Sequence, residues 1–200
     1  VLFDVKPVVT LFDYINGHKK LQDVIIETKY PNLSLIAGKS GYQYATNSSS
    51  FIFSRLVQDI LDLNFYDILI VDTGAGLNDY VKEFLKVSTN ILAITSTDPS
   101  ALTDVYSLIK MLAIDKKSLM LCFNHTKNEL VGETISNSLI NLAKKNRLKS
   151  EFVIKYIGSV PSSENITKIA RARKIFVNEF PQEDAAIKLH NIVDGVLKNI

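Results

Sequence analysis

The sequence has no tryptophan, one cysteine, two methionines and three histidines. A single thiol cannot close an internal disulfide. Cys122 lies in an apolar run, which suits a buried, inert thiol in a reducing compartment. His18, His125 and His190 are far apart and show no metal-ligand spacing, so the pattern excludes a zinc site. No apolar run approaches the ~20 residues that span a bilayer, and residues 1–10 do not carry the pattern of a secretory leader. An excess of one charge is also missing. Lys plus Arg number 23 against 21 for Asp plus Glu, a net charge of +2, which argues against a dedicated nucleic-acid binder. There is no internal repeat, low-complexity tract or inter-domain linker. These absences point to a cytoplasmic globular protein. What is present is 46% apolar residues in 200, enough for one domain with a sizeable core.

Strand and helix patterns alternate along the chain. Residues 10–16 read as a short helix, capped by Thr10 and ended by Asn16-Gly17. Residues 21–26 read as a second short helix or an edge strand, and 33–37 as a strand. Residues 38–50 are polar and small, a loop from which one of residues 47–50 caps the next helix. Residues 51–63 place Ile52, Phe53, Leu56, Val57, Ile60 and Leu61 at helical spacing. Residues 67–72 read as a central strand buried on both faces, because Ile68, Leu69, Ile70 and Val71 show no polar alternation. Helices are expected over 78–87, 98–112, 129–147, 162–173 and 181–200. Strands are expected over 90–95, 118–123 and 152–158. Strands alternating with helices of ten residues or more predict βαβ units: an α/β fold with a three-layer, mostly parallel sheet and helices on both faces.

The chemistry-bearing stretch is residues 67–76. Asp72 would sit at the carboxyl end of a strand, where open α/β sheets bind ligands. Thr73, Gly74, Ala75 and Gly76 follow. A carboxylate for a metal and its waters, then glycines for a phosphate, is the physical content of a Walker B and switch segment. A turn with a capping Asp reads the same way. Gly38-Lys39-Ser40 is not a P-loop, since the required earlier glycine position is Leu33 and no apolar helix starts at the lysine. Asn124 ends another strand and could read a base edge or cap a turn. Pro161, after Gly158-Ser159-Val160, offers a flat apolar face suited to a purine, or simply turns the chain toward a helix. Lys168, Arg171, Arg173 and Lys174 form a basic patch best read as a solvated helix face. The last helix carries Ile187, Leu189, Ile192, Val193, Val196, Leu197 and Ile200. This stripe suits docking on the sheet, since only Lys188 and Lys198 are available to face a membrane surface.

Taken in order, residues 72–76, 94–104, 124 and 158–161 resemble the MinD/ParA family of deviant-Walker P-loop ATPases. Within it the pattern is similar to the FlhG type, also called YlxH or FleN. The opening Val1 to Pro7, with Thr10 to Asp13, resembles the segment just after switch I. The resemblance implies roles. Asp72 would hold Mg2+ through water, with Thr73, Gly74 and Gly76 as switch II. Asn124, Val160, Pro161 and Ser163 would lie on the adenine side. Asp98 and Asp104 would lie near an ATP-dependent homodimer interface. The implied cofactors are ATP or ADP with Mg2+. The implied partners are a second copy, an FlhF-like GTPase, flagellar switch proteins and the inner membrane surface, touched peripherally. The family's P-loop and switch I Asp are not among these 200 residues. The chain is therefore expected to be a segment, residues 1–200 forming one domain without its P-loop strand, inactive alone and without tight nucleotide binding. Where the family often has an acid two places after Pro161, Ser163 stands. The alternatives are a division-site or chromosome-partition ATPase of the same family and a non-enzymatic interaction module on the same sheet.

Overall fold

A computed structural model describes residue 3 and residues 5–38, 50–115, 118–146 and 151–200. They form two compact units, Val1–Val87 and Ser88–Ile200.

The first unit runs α1 (Leu11–Ile15), α2 (Leu21–Val24), β1 (Ile25–Glu27), β2 (Ser34–Ile36), α3 (Ser50–Asp62) and α4 (Asp79–Val87). The cap expected at Thr10 forms. Its backbone N–H and its hydroxyl both donate to Asp13 Oδ2, at 2.8 and 3.1 Å, and Asn16 closes the helix. Residues 21–27 use both of the expected forms, a turn of helix that runs straight into a strand. β1 and β2 pair antiparallel, Ile25 opposite Ile36. The core gathers Leu11, Leu21, Val24, Phe53, Leu56, Ile60 and Phe84. The rings of Phe53 and Phe84 meet at 4.7 Å between centroids. α3 thus buries Phe53, Leu56 and Ile60 of the face its apolar spacing marked out, with Ile52 and Val57 half-buried, while Leu61 stays exposed.

Residues 68–71 depart from expectation. They have no ladder partner among the described residues, and Ile70 is 85% exposed. A strand buried on both faces needs neighbours at both edges and cover above and below. An apolar run supplies the hydrophobic demand for that setting but not the setting itself.

The second unit runs β3 (Leu92–Thr95), α5 (Pro99–Asp115), β4 (Ser118–Thr126), α6 (Glu129–Lys145), β5 (Val153–Pro161), α7 (Glu164–Arg171), α8 (Phe176–Glu179) and α9 (Asp184–Leu197). β3, β4 and β5 form a parallel sheet in that order, joined by the helical crossovers α5 and α6. The α/β class is as expected. β4 lies between two neighbours, and Leu119, Leu121 and Phe123 are fully buried. Burying each such side chain contributes ~1.5–3 kcal/mol. The apolar run of β3 splits by face, since alternate side chains point to opposite sides of the sheet: Ala93 and Thr95 are buried while Leu92 and Ile94 are exposed. The turn of helix at α8 has no counterpart among the elements expected from the sequence.

α9 docks on β5, as expected, but through a narrower face. Ala185, Ala186 and Ile192 are buried, whereas Ile187, Val193, Leu197 and Ile200 stay exposed. The helix comes close to the sheet where Ile192 lies over Gly158 and Gly195 lies over Ile157, and that approach fixes which side of the stripe is covered. Among the described residues no helix is long and apolar enough to cross a membrane.

Candidate functional site

The candidate residues fall in both units. Asp72, Thr73, Gly74 and Gly76 belong to the first, and Asp98, Asp104, Asn124, Val160, Pro161 and Ser163 to the second.

In the first unit the loop after residue 71 is shaped by its own groups. The Gly74 N–H donates to Asp72 Oδ1 at 3.2 Å, and the Thr73 hydroxyl lies 3.4 Å from the Gly74 carbonyl. Gly74 and Gly76 have φ of 72° and 87°, a region that side chains disfavour. A Cβ at either would meet nothing within 4 Å, so glycine is required by the backbone rather than by crowding. Asp72 is exposed, and its Oδ2 is not used in that turn. One free carboxylate oxygen beside open space suits Mg2+, which keeps several waters and takes one or two carboxylates besides phosphate oxygens. No cluster of three or more His, Cys, Asp or Glu that could hold a metal occurs among the described residues. Gly38 precedes Lys39 and Ser40, which lie outside the described residues together with the expected cap at 47–49.

In the second unit the parallel strands place three loops along one edge of the sheet. At the end of β3, the Ser96 hydroxyl donates to Asp98 Oδ2 at 2.6 Å, and the Asp98 carbonyl accepts from the Leu102 N–H, opening α5. Asp98 and Asp104 are both exposed there. At the ends of β4 and β5, Asn124 is in register with Val160, and Thr126 with Pro161. Val160 is buried and Pro161 half-buried. The register brings together three of the four adenine-side candidates, Asn124, Val160 and Pro161. The Asn124 Oδ1 accepts the His125 N–H at 2.9 Å, so its side-chain NH2 is the donor left to meet a ligand.

Two residues at this edge are not marked by the sequence pattern. His125 has φ of 56°, uncommon without glycine, and its Nδ1 lies 3.3 Å from Ser162 Oγ. Its sequence context is that of an ordinary boundary residue. Glu183, at the start of α9, accepts from the Ser163 hydroxyl and from Asn165 Nδ2, the latter at 2.9 Å. These hydrogen bonds hold its carboxyl below the usual value of 4.5. A carboxylate thus does stand beside position 163, delivered from another helix. No local spacing could reveal it, because the two residues are 20 apart. The basic patch is exposed as expected, with Lys174 paired to Glu179 at 2.9 Å.

A parallel α/β sheet with its strand-end loops gathered at the carboxyl edge is the arrangement in which open α/β proteins bind ligands. The chain is 32% identical over 184 residues to the flagellum site-determining protein YlxH of Helicobacter pylori, covering 92% of this chain and 62% of that protein. It is 27% identical over 200 residues to the antiactivator FleN of Pseudomonas aeruginosa, covering 70% of it. The chain thus spans under two thirds of the YlxH length. The fold matches the cell-division ATPase MinD of Pyrococcus furiosus with a TM-score of 0.78 at 16% identity, over 98% of this chain and 78% of that one. It matches a ParA-family ATPase of Chlorobium tepidum with a TM-score of 0.69 at 18% identity, over 97% and 76%. MinD of Pyrococcus horikoshii, solved with Mg-ADP, matches at 0.76 and 16% identity, over 98% and 76%. No protein-family profile matches the chain. In sequence the chain is similar to the FlhG-type proteins YlxH and FleN, and its fold is that of the MinD and ParA ATPases.

Proposed function

We propose that this chain is the switch II, purine-side and dimer-face portion of an FlhG-type ATPase. The observation that carries this is the likeness to YlxH, which runs through nearly every candidate loop. In this reading Asp72 holds Mg2+ through water at the γ-phosphate, and Thr73, Gly74 and Gly76 form the switch that follows it. Asn124 donates to the base, and Val160 and Pro161 form the apolar wall of its pocket. Ser163 acts with the loop behind that wall. Asp98 and Asp104 lie toward a second copy that joins when ATP is bound. The assembled dimer works at the inner membrane surface in the cytoplasm and sets flagellar number and placement, together with an FlhF-like GTPase and flagellar switch proteins. A P-loop supplied from outside the 200 residues would cradle the phosphates. Phosphoryl transfer is mostly positioning and charge neutralisation, so residues 1–200 alone bind nucleotide weakly and do not turn it over. A division-site or partition role is the same chemistry with another partner.

A second reading is an interaction module that keeps the sheet without catalysis. It is favoured by residues 68–71, which have no ladder partner among the described residues. One experiment separates the two. In the complete gene product, Asp72→Ala is expected to lower ATP turnover by at least a hundredfold while circular dichroism and melting stay the same. Normal turnover in that variant rules out Asp72 as the carboxylate that holds the metal. A wild-type gene product with no ATPase activity and no ADP heat in calorimetry favours the module.

A further inference from the structure

We propose that Glu183 is a positioning residue for the purine side of the site, holding residues 162–165 in place behind Pro161. This rests on the reading of Asn124, Val160 and Pro161 as purine contacts. Pro161 has no N–H to donate, so its ring cannot be anchored by its own backbone donor. The residues after it must fix the height and tilt of the face on which a base would stack. Two ties do so, one on each side. Toward β4, Ser162 Oγ lies 3.3 Å from His125 Nδ1. His125 is held in its left-handed conformation beside Asn124, whose Oδ1 takes its N–H. Toward α9, both oxygens of Glu183 are used: Oε1 accepts from the Ser163 hydroxyl and Oε2 from Asn165 Nδ2 at 2.9 Å. The Ser163 hydroxyl in turn accepts the Asn165 N–H at 3.2 Å and caps α7.

The arrangement exceeds what capping requires. Ser163 alone would cap α7. Glu183 adds a charged acceptor that ties the cap residue and the side chain of the second helical residue to a separate helix. Its own carbonyl meanwhile accepts from the N–H groups of Ala186 and Ile187. The carboxylate stands at the start of both α7 and α9, where negative charge is favoured. It needs no further cation to be satisfied there. A carboxylate so placed can orient the loop without touching the ligand.

The test uses Glu183→Ala, Glu183→Gln and Asn124→Ala in the complete gene product, with ADP as the calorimetric probe and ATP for turnover. Glu183→Ala is expected to raise the ADP dissociation constant about tenfold, the equivalent of one charge-assisted hydrogen bond. The KM for ATP should rise more than kcat falls. Glu183→Gln should lie between, because its amide oxygen can still accept from Ser163 while its NH2 opposes Asn165. Amide exchange at residues 162–165 should quicken in Glu183→Ala, with β4 unaffected. Unchanged exchange there overturns the tie whether or not nucleotide binds. Unchanged ADP affinity in Glu183→Ala, with affinity lost in Asn124→Ala, overturns positioning and leaves the purine reading standing. Unchanged affinity in both variants overturns the purine reading, and the positioning role with it.

Discussion

Tyr14 shows how one side chain can be tuned by two neighbours. Burial comes first and its hydrogen bond to the Asp59 carboxylate second, and together they push the phenol up to about 12 from 10.0. The folded state therefore prefers the protonated phenol. That stabilisation is fully present below pH 10 and is lost as pH rises toward 12. Phenolate absorbance should show a late-titrating group that Tyr14→Phe removes. Loss of amplitude near pH 10 rather than near 12 in Tyr14→Phe would mean that this environment does not persist in solution. Glu183 has the opposite sign. Its contribution is present above pH 4.5 and lost as pH falls through its lower folded value. At this scale the sequence is informative where the group acts on its own neighbours. Thr10, Asn16 and Asp72 are legible because caps and turns reach only two or three residues. The Glu183 and His125 contacts are not, because their partners arrive from other elements.

Among the elements, α6 and β5 meet closely at Gly132. A Cβ there would fall 2.2 Å from Ser159 Oγ and 3.1 Å from the Tyr156 hydroxyl, two atoms that bond each other at 2.7 Å. Gly132→Ala gains up to ~1 kcal/mol of helix propensity. It costs ~1–3 kcal/mol in overpacking, since the Ser159 hydroxyl must turn away from Tyr156. Net destabilisation of ~1–2 kcal/mol is expected in urea unfolding. A variant as stable as wild type would show that Ser159 yields freely. The helix over 129–147 is expected from the sequence, and the structure adds its Asn128 cap, which accepts the Val131 N–H at 3.1 Å. The need for glycine is not, because nothing local distinguishes Gly132 from a tolerated helical glycine. The strands show the same division. Residues 68–71, 92–95 and 118–123 are all apolar runs, yet among the described residues only β4 is closed on both edges.

Over the whole molecule, the second unit has the features of an independent folding unit. It holds a three-stranded parallel sheet, two crossover helices and its own core of Cys122, Val160, Ile169, Phe176, Ala185, Ala186 and Ile192. Residues 88–200 expressed alone are expected to unfold in one cooperative step on heating, with helical circular dichroism retained before the transition. A non-cooperative melt would show that this core depends on the rest of the chain. Local chemistry in the sequence determined most of the helices and the strands of the second unit, though not the fate of residues 68–71 or the turn at α8, because periodicity, caps and glycine φ act over a few residues. It also carried the resemblance to the FlhG-type proteins, because the loops come in one order. Only the tertiary structure decided which apolar run is buried, which face of α9 is covered and which carboxylate stands beside Ser163. Each of these depends on what a distant segment brings alongside, and burial or a hydrogen bond exists only once both partners are in place.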